Sequence, residues 1–165
     1  MAVTLTGNVR LNATFDLRDG TARDTLTVTA EDDIASGILA NQGNNGYQVT
    51  YAIPATSHQA VDLAGVLVGA FTGVRTFTKL KWLMIQLTTE TPGAQCNIGG
   101  NANPVLLFSN GNDELILGAG GTLLLASPVD GYTVTAGTGD ILDLYNPGAT
   151  AISVTVTIVG VGSIA

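Results

Sequence analysis

The sequence predicts an all-β fold, a jelly-roll-like two-sheet sandwich of short antiparallel strands. Short segments rich in Val, Ile, Leu and Thr recur along the chain, and turn residues (mainly Gly, Asn, Asp and Pro) separate them. Such regular spacing is typical of sandwiches and barrels. The length of 165 residues fits one domain over residues 1–165, with residues 1–30 forming an extended arm or hairpin.

The alternation of apolar and polar residues locates the individual strands. Residues 47–53 place their aromatic and β-branched side chains on one face, and Pro54 ends that strand. Residues 75–89 form the longest candidate, and the apolar run 82–85 within it predicts burial on both faces. The predicted strands cover residues 3–9, 11–17, 26–30, 47–53, 75–89, 94–98, 104–108, 114–117, 122–126, 132–135, 141–145 and 150–161.

Turn chemistry assigns several of the connections. Arg18-Asp19-Gly20 predicts a turn, because Asp-Gly favours positive φ. The acidic residues 31–33 predict a corner, and the NQGNNG segment at 41–46 predicts a loop. Two segments stay open: residues 34–40 form a helical turn or a strand, and residues 60–71 hold a strand followed by a loop or a short helix.

Residues 150–161 show the strictest alternation in the chain. One face is apolar, and the opposite face carries hydroxyl side chains. Natural edge strands are usually guarded by Lys, Pro or a bulge, and this segment contains neither of those residues. We therefore predict that the strand is central in a sheet or pairs with another subunit. Its apolar face consists of Ile152, Val154, Val156 and Ile158.

Charge divides the chain into two unlike halves. The chain has 6 basic and 13 acidic residues, and no basic residue follows Lys81. An acidic surface repels phosphate backbones, so no nucleic acid partner is expected. Arg75, Lys79 and Lys81 flank the central strand and should pair with acidic groups or face an acidic partner. The acidic residues of the second half are Glu90, Asp113, Glu114, Asp130, Asp140 and Asp143.

The low charge content predicts self-association. Charged residues make up 12% of the chain, about half the usual share, whereas hydrophobic residues make up 45%. Burial against partners is the simplest way to cover so much apolar surface. We expect an oligomer, with a trimer favoured, or a chain that is stable only on its particle.

No catalytic constellation is visible in the sequence. His58 is the only histidine, and Ser57 beside it and Asp62 nearby would be the members of a hydrolytic triad. The serine lacks a nucleophile-elbow motif, and neighbours in sequence rarely form a working triad. A surface or interface histidine is the favoured interpretation, so no catalytic residue is assigned.

The sequence evidence for a metal or cofactor site is equally weak. Calcium would need six to eight oxygen ligands, roughly, on a turn. The acidic clusters are interpreted as solvated turns. The Gly runs are interpreted as turns and close-packed strand positions and not as phosphate-binding loops, because no Lys and no helix follows them. Cys96 lies among apolar and Gly residues and is expected in the core. No metal or cofactor is assigned. The acidic clusters are Asp16/Asp19/Asp24, residues 31–33 and residues 110–114, and the Gly runs are residues 118–121, 137–139 and 160–162.

Aromatic side chains that could stack on sugars are few. Aromatic residues make up 5% of the chain, and the alternation around them favours core or interface positions. The candidates are Trp82, Tyr47, Tyr51, Tyr132 and Tyr145. No membrane span is expected, because the uncharged stretch 144–165 contains Asn, Pro and Gly.

Three stretches resemble a family of small virion structural proteins of tailed bacteriophages. They are AVDLAGVLVGAFTGVRTFTKLKWLMIQ (60–86), CNIGGNANPVLLF (96–108) and residues 117–160. The run GGTLLLASPVDGYTVTAGTGD (120–140) is the most specific part. Ala119 departs from the family, which often has proline there, and the usual preceding basic residue is missing. The resemblance implies an all-β virion component without enzymatic activity, catalytic residues or cofactor.

This resemblance leads to the expected function. We expect a capsid decoration or cement protein that binds the outer surface of the head, with the major capsid protein or another virion protein as its partner. Assembly would take place in the host cytoplasm. A tail, baseplate or fibre component and a carbohydrate-binding β-sandwich for surface attachment are the alternatives.

Overall fold

The computed structural model describes residues 7–19, 22–68, 73–100, 102–108 and 110–164, with side chains from Ile34 onward. All of the regular elements in these ranges are strands, and no helix there is long and apolar enough to cross a membrane. The strands are β1 (Gly7–Asp19), β2 (Ala22–Ser36), β3 (Gln42–Gly43), β4 (Asn45–Ile53), β5 (Ser57–Asp62), β6 (Arg75–Leu87), β7 (Gln95–Gly99), β8 (Glu114–Gly118), β9 (Thr122–Ala126), β10 (Tyr132–Thr133), β11 (Ile141–Asn146) and β12 (Ile152–Ile164).

Strands β4 to β12 form the two sheets of a jelly roll. One sheet has the order β10-β6-β12-β4, and β9 also pairs with β6, so that β9 and β10 occupy one place in it. The other sheet has the order β5-β11-β7-β8. The first of these strands, β4, lies beside the last, β12, and the chain crosses repeatedly between the sheets, as in a jelly roll. The predicted fold class is confirmed.

The core lies between the two sheets. Val154 and Val156 of β12 are fully buried against inner residues of the other strands, among them Leu83 and Leu144. The predicted alternation of β12 and its central position are both confirmed, because β12 pairs with β4 on one side and β6 on the other. On its outer face, the hydroxyls of Thr155 and Thr50 are hydrogen-bonded at 2.8 Å.

Strand β6 carries two irregularities that the alternation does not reveal. Its pairing with β12 shifts between Val159 and Gly160 and again between Val161 and Gly162. A Cβ atom on Gly160 would lie 2.1 Å from the carbonyl oxygen of Lys79, so only glycine fits there. Burial of the run 82–85 on both faces holds for Trp82 and Leu83, whereas Met84 is only half-buried.

The N-terminal residues form a long hairpin. β1 and β2 pair antiparallel from Gly7↔Ile34 to Asp19↔Ala22 without a register shift. Three predictions are therefore corrected: residues 7–19 are one strand instead of two, residues 31–33 lie within β2 instead of at a corner, and β2 at 15 residues is longer than β6 at 13. Continuous ladder hydrogen bonds with a partner strand override the local turn preference. Residues 3–6 and Gly20 lie outside the described residues.

Other connections also differ from expectation. Residues 104–108 are a loop with one parallel bridge between Pro104 and Ile141, because Pro lacks the N–H donor of a regular ladder. The predicted loop 41–46 contains β3 and the start of β4. The two open segments are settled in part: β2 runs to Ser36, and β5 ends at Asp62 and is followed by bends up to Gly65.

Candidate functional site

A cleft with a volume of about 550 Å³ lies beside β10. Two segments distant in sequence form its walls, namely the loop after β7 and residues 131–139. Its lining residues are uncharged: Pro104, Leu106, Gly111, Gly131, Tyr132, Thr133, Thr135, Thr138 and Gly139. We call this feature the threonine cleft. Hydroxyl groups, one aromatic ring and the exposed Leu106 side chain give it hydrogen-bonding and apolar contacts without charge.

Backbone hydrogen bonds hold the two walls of the threonine cleft. The N–H groups of Asp140 and Ile141 both donate to the carbonyl oxygen of Asn103, at 3.1 and 3.0 Å. The N–H of Val105 returns a bond of 2.9 Å to the carbonyl oxygen of Ile141. These bonds tie the loop before β8 to the start of β11, so the first wall is fixed to the sandwich.

A tight turn shapes the second wall. The N–H of Gly139 donates to the carbonyl oxygen of Thr135 at 2.8 Å. In return, the N–H of Thr135 donates to the carbonyl oxygen of Gly139 at 3.0 Å. Gly137 has a φ of 76°, and its N–H donates to the carboxylate of the buried Asp140. The GTG run is therefore a turn, as predicted, and this turn holds Thr135 and Thr138 at the rim.

His58 pairs with a carboxylate other than the one that sequence proximity suggested. Its Nδ1 atom lies 2.7 Å from Oδ2 of Asp143, which is fully buried. Its ring stacks on Tyr145, with centroids 4.2 Å apart. Both contacts follow from the pairing of β5 with β11, which sets His58 directly opposite Tyr145.

The remaining members of the imagined triad are turn residues. Oδ1 of Asp62 accepts the N–H of Ala64 at 3.1 Å, and the hydroxyl of Ser57 donates to the carbonyl oxygen of Ala55 at 3.1 Å. Asp143 was missed, because 85 residues separate it from His58 and no local pattern links them. The His58 ring is 54% exposed, and the buried carboxylate of Asp143 fixes its orientation through Nδ1.

The acidic segment 110–114 forms a turn. Asp113 accepts the backbone N–H of Asn110 at 2.9 Å, and Asn110 accepts the N–H of Asn112 at 2.8 Å. Glu114 accepts the amide of Asn97 at 2.9 Å instead of pointing toward Asp113. Within the described part of the chain, no group of three His, Cys, Asp or Glu side chains could hold a metal ion. The side chains of the other two acidic clusters lie outside the described residues.

Two lysines bond to one loop. Lys79 donates from Nζ to the carbonyl oxygen of Asp130 at 3.0 Å, and the buried Lys81 donates to that of Val129. These contacts are with backbone carbonyl groups and not with carboxylates, so the two lysines do not form the acidic pairs that were one of the two predictions. That they face an acidic partner stays a prediction. Burial, followed by the nearby Lys79 charge, lowers the pKa of Lys81, and Asp130 opposes that effect.

Other candidates from the sequence belong to the interior. Cys96 is fully buried, as predicted, and burial followed by the charge of Asp143 raises its pKa to about 12. Trp82 and Tyr47 are also buried, which removes them as sugar platforms. The hydroxyls of Tyr47 and Tyr51 are hydrogen-bonded at 2.6 Å beside a smaller cavity of about 400 Å³, and burial raises the pKa of Tyr51.

Comparison of the chain with protein-family models, curated proteins and solved structures finds no match. The threonine cleft and the His58–Asp143 pair are therefore interpreted from their own geometry.

Proposed function

We propose that this chain is a non-enzymatic structural protein of a phage virion, a decoration or cement protein that binds the outer shell of the head. One observation carries the proposal: the run 120–140, which has the most specific family resemblance, builds one wall of the threonine cleft. Six of the cleft's nine lining residues lie between Gly131 and Gly139. The segment that carries the resemblance is thus also the segment that shapes a surface suited to a partner.

The chemistry of the threonine cleft supports contact with a protein segment. Threonine hydroxyls donate and accept hydrogen bonds, and glycines allow another backbone to approach closely. Leu106 is 59% exposed at the same cleft and supplies an apolar anchor. An uncharged loop or extended segment of the major capsid protein would satisfy these groups.

Binding to empty head shells of the encoding phage, measured by co-sedimentation, tests the proposal. Thr135→Arg should reduce binding at least about tenfold, because it places a long cation at the cleft rim. Thr122→Arg is the matched control, since Thr122 is exposed in β9 and does not line the cleft. Equal binding of the two variants would contradict the role of the cleft, and binding to tails instead of shells would favour a tail component.

Salt separates two modes of attachment. The cleft lining contains no charged residue, so binding there should change little with ionic strength. Attachment through the acidic second half to a basic shell patch should instead weaken as salt rises. Measuring shell binding from low to high salt identifies which surface contributes most.

A carbohydrate-binding function is the second candidate, and Tyr132 is the observation that favours it. This aromatic side chain lies among hydroxyl groups in an uncharged cleft, a composition that suits a neutral sugar. A glycan array with Tyr132→Ala as the control would detect such binding. A signal lost in that variant, together with no binding to shells, would replace the first proposal.

A further inference from the structure

The outer edge of β1 is the feature that the proposed function does not use. Among the described residues, β1 pairs with β2 alone, and β2 reaches a third strand only where Ala35 and Ser36 pair with β3. An isolated two-stranded hairpin is marginally stable in water. Alternate residues of the 13 in β1 thus direct their backbone N–H and C=O groups to the side away from β2.

Lys, Pro and a bulge, which often guard an edge strand, are absent from β1. Its ladder with β2 has no register shift that would bend it. A long and regular edge is a template for another strand.

The residues of β1 are divided cleanly between two faces. Because alternate residues of a strand lie on opposite faces, odd-numbered positions from Val9 to Leu17 form an apolar face, and even-numbered positions form a polar face. The register with β2 extends this division in the middle of the hairpin, where Phe15 lies opposite Leu26 and Thr14 opposite Thr27. Nearer the ends, Val9 and Leu17 lie opposite aspartates of β2. A partner strand must match the same alternation, and a slip of one residue would set apolar positions against polar ones.

We propose that β1 pairs antiparallel with β1 of a second copy of this chain, in a twofold contact centred on Ala13. Ala13 is the midpoint of Gly7–Asp19, so this register pairs the whole strand. It sets Leu11 opposite the partner's Phe15 and Arg10 opposite the partner's Asp16. Twofold symmetry repeats the opposite-charge pair, so the contact contains it twice.

The two neighbouring registers that keep apolar opposite apolar positions have less favourable charge pairs. Moving the centre to Thr14 sets Arg10 opposite the partner's Arg18, a like-charge pair that is destabilising. Moving it to Asn12 sets Arg10 opposite the partner's Thr14 and loses the charge pair. The charges of β1 therefore select the centre at Ala13, and they select a second copy as the occupant of the edge.

The proposal goes beyond shell binding and is tested without shells. Sedimentation velocity of the intact chain at micromolar concentration and low salt should show a dimer, twice the 16.8 kDa chain mass. A monomer would overturn the proposal. So would the trimer expected from composition, because a twofold contact cannot produce it. Neither result bears on binding to shells, so the two proposals fail separately.

Charge exchange tests the register itself. Arg10→Asp sets Asp opposite the partner's Asp16, and Asp16→Arg sets Arg opposite the partner's Arg10. Each variant alone should weaken the dimer by about tenfold or more, because two favourable cross-strand pairs become like-charge pairs. Arg18→Asp is a charge-reversal control on the same face, since position 18 lies opposite the partner's Asn8, and it should remain a dimer. Within the hairpin Arg18 lies opposite Arg23 and Arg10 opposite Glu31, so the two variants differ in their effect on the hairpin itself.

Mixing the two variants provides the decisive measurement. A heterodimer of Arg10→Asp with Asp16→Arg has opposite charges at both pairs, so the mixture should recover the dimer mass. A variant that merely destabilised its own hairpin would not be rescued in this way. Failure of the mixture to form dimers, with circular dichroism showing that both chains are folded, would overturn the proposed register.

Discussion

Strands β1 and β12 have the same length and similar sequence patterns, yet they occupy opposite positions in the fold. Each has 13 residues, each alternates apolar with polar positions over most of its length, and neither contains Lys or Pro. β12 has a partner on both sides, whereas β1 has one partner among the described strands. An alternating strand without Lys or Pro is thus suited to pairing on both edges, but its sequence does not indicate whether the second partner belongs to the same chain.

The largest expected effect concerns the buried face of β12. Val156 is fully buried, so Val156→Asp should destabilise the fold by more than about 4 kcal/mol and prevent folding. Thr155→Asp lies on the outer face and should cost much less, mainly the hydroxyl bond to Thr50. Expression and thermal unfolding of the two variants measure the difference. If Thr155→Asp proved the more damaging, the outer and buried faces of β12 would be exchanged.

The next largest effect is expected from a substitution where β12 approaches β6 most closely. Gly160→Ala brings a methyl group against the carbonyl oxygen of Lys79 and should cost about 1–3 kcal/mol. Gly118→Ala is the control, because a Cβ atom there meets nothing within 4 Å. Urea unfolding of both variants compares them. Equal stability of the two would show that the bulged strands separate easily.

Hydrogen exchange compares the two strands directly in the unmodified protein. Amides of β12 should exchange only on global unfolding, since both of its neighbours are in the same chain. Amides of β1 should become better protected as protein concentration rises, because their second partner is another copy. Concentration-independent exchange in β1 would contradict the proposed pairing.

The smallest effect is expected in the reactivity of Cys96. Burial, followed by the charge of Asp143, raises its thiol pKa from the ordinary value of 9.0 to about 12, so the folded state favours the neutral thiol. The stability that this neutral form contributes should be present below pH 9.0 and should be lost as pH rises toward 12.

Arg10→Asp should leave Cys96 unreactive toward iodoacetamide at neutral pH, because it affects the hairpin alone. Rapid alkylation in that variant would show that the hairpin and sandwich open together.

The partner of His58 and the two walls of the threonine cleft could not be predicted from the sequence. Sequence proximity suggested Asp62 as the partner of His58, whereas the β5–β11 register brought Asp143 there. Similarly, the two walls of the threonine cleft come from segments at least twenty residues apart in sequence. Contacts between distant segments depend on sheet order, which no local pattern specifies.

Local alternation by itself determined the fold class, the apolar face of β12 and most of the strands from β4 onward, because a strand that covers a core must repeat every two residues. The tertiary structure alone decided the continuity of β1 and β2, the irregular pairing of β6 and the loop conformation of residues 104–108. Each of these depends on a backbone partner from elsewhere in the chain. Hydrogen bonds and close packing with that partner outweigh local preferences, and the sequence of one segment does not reveal them.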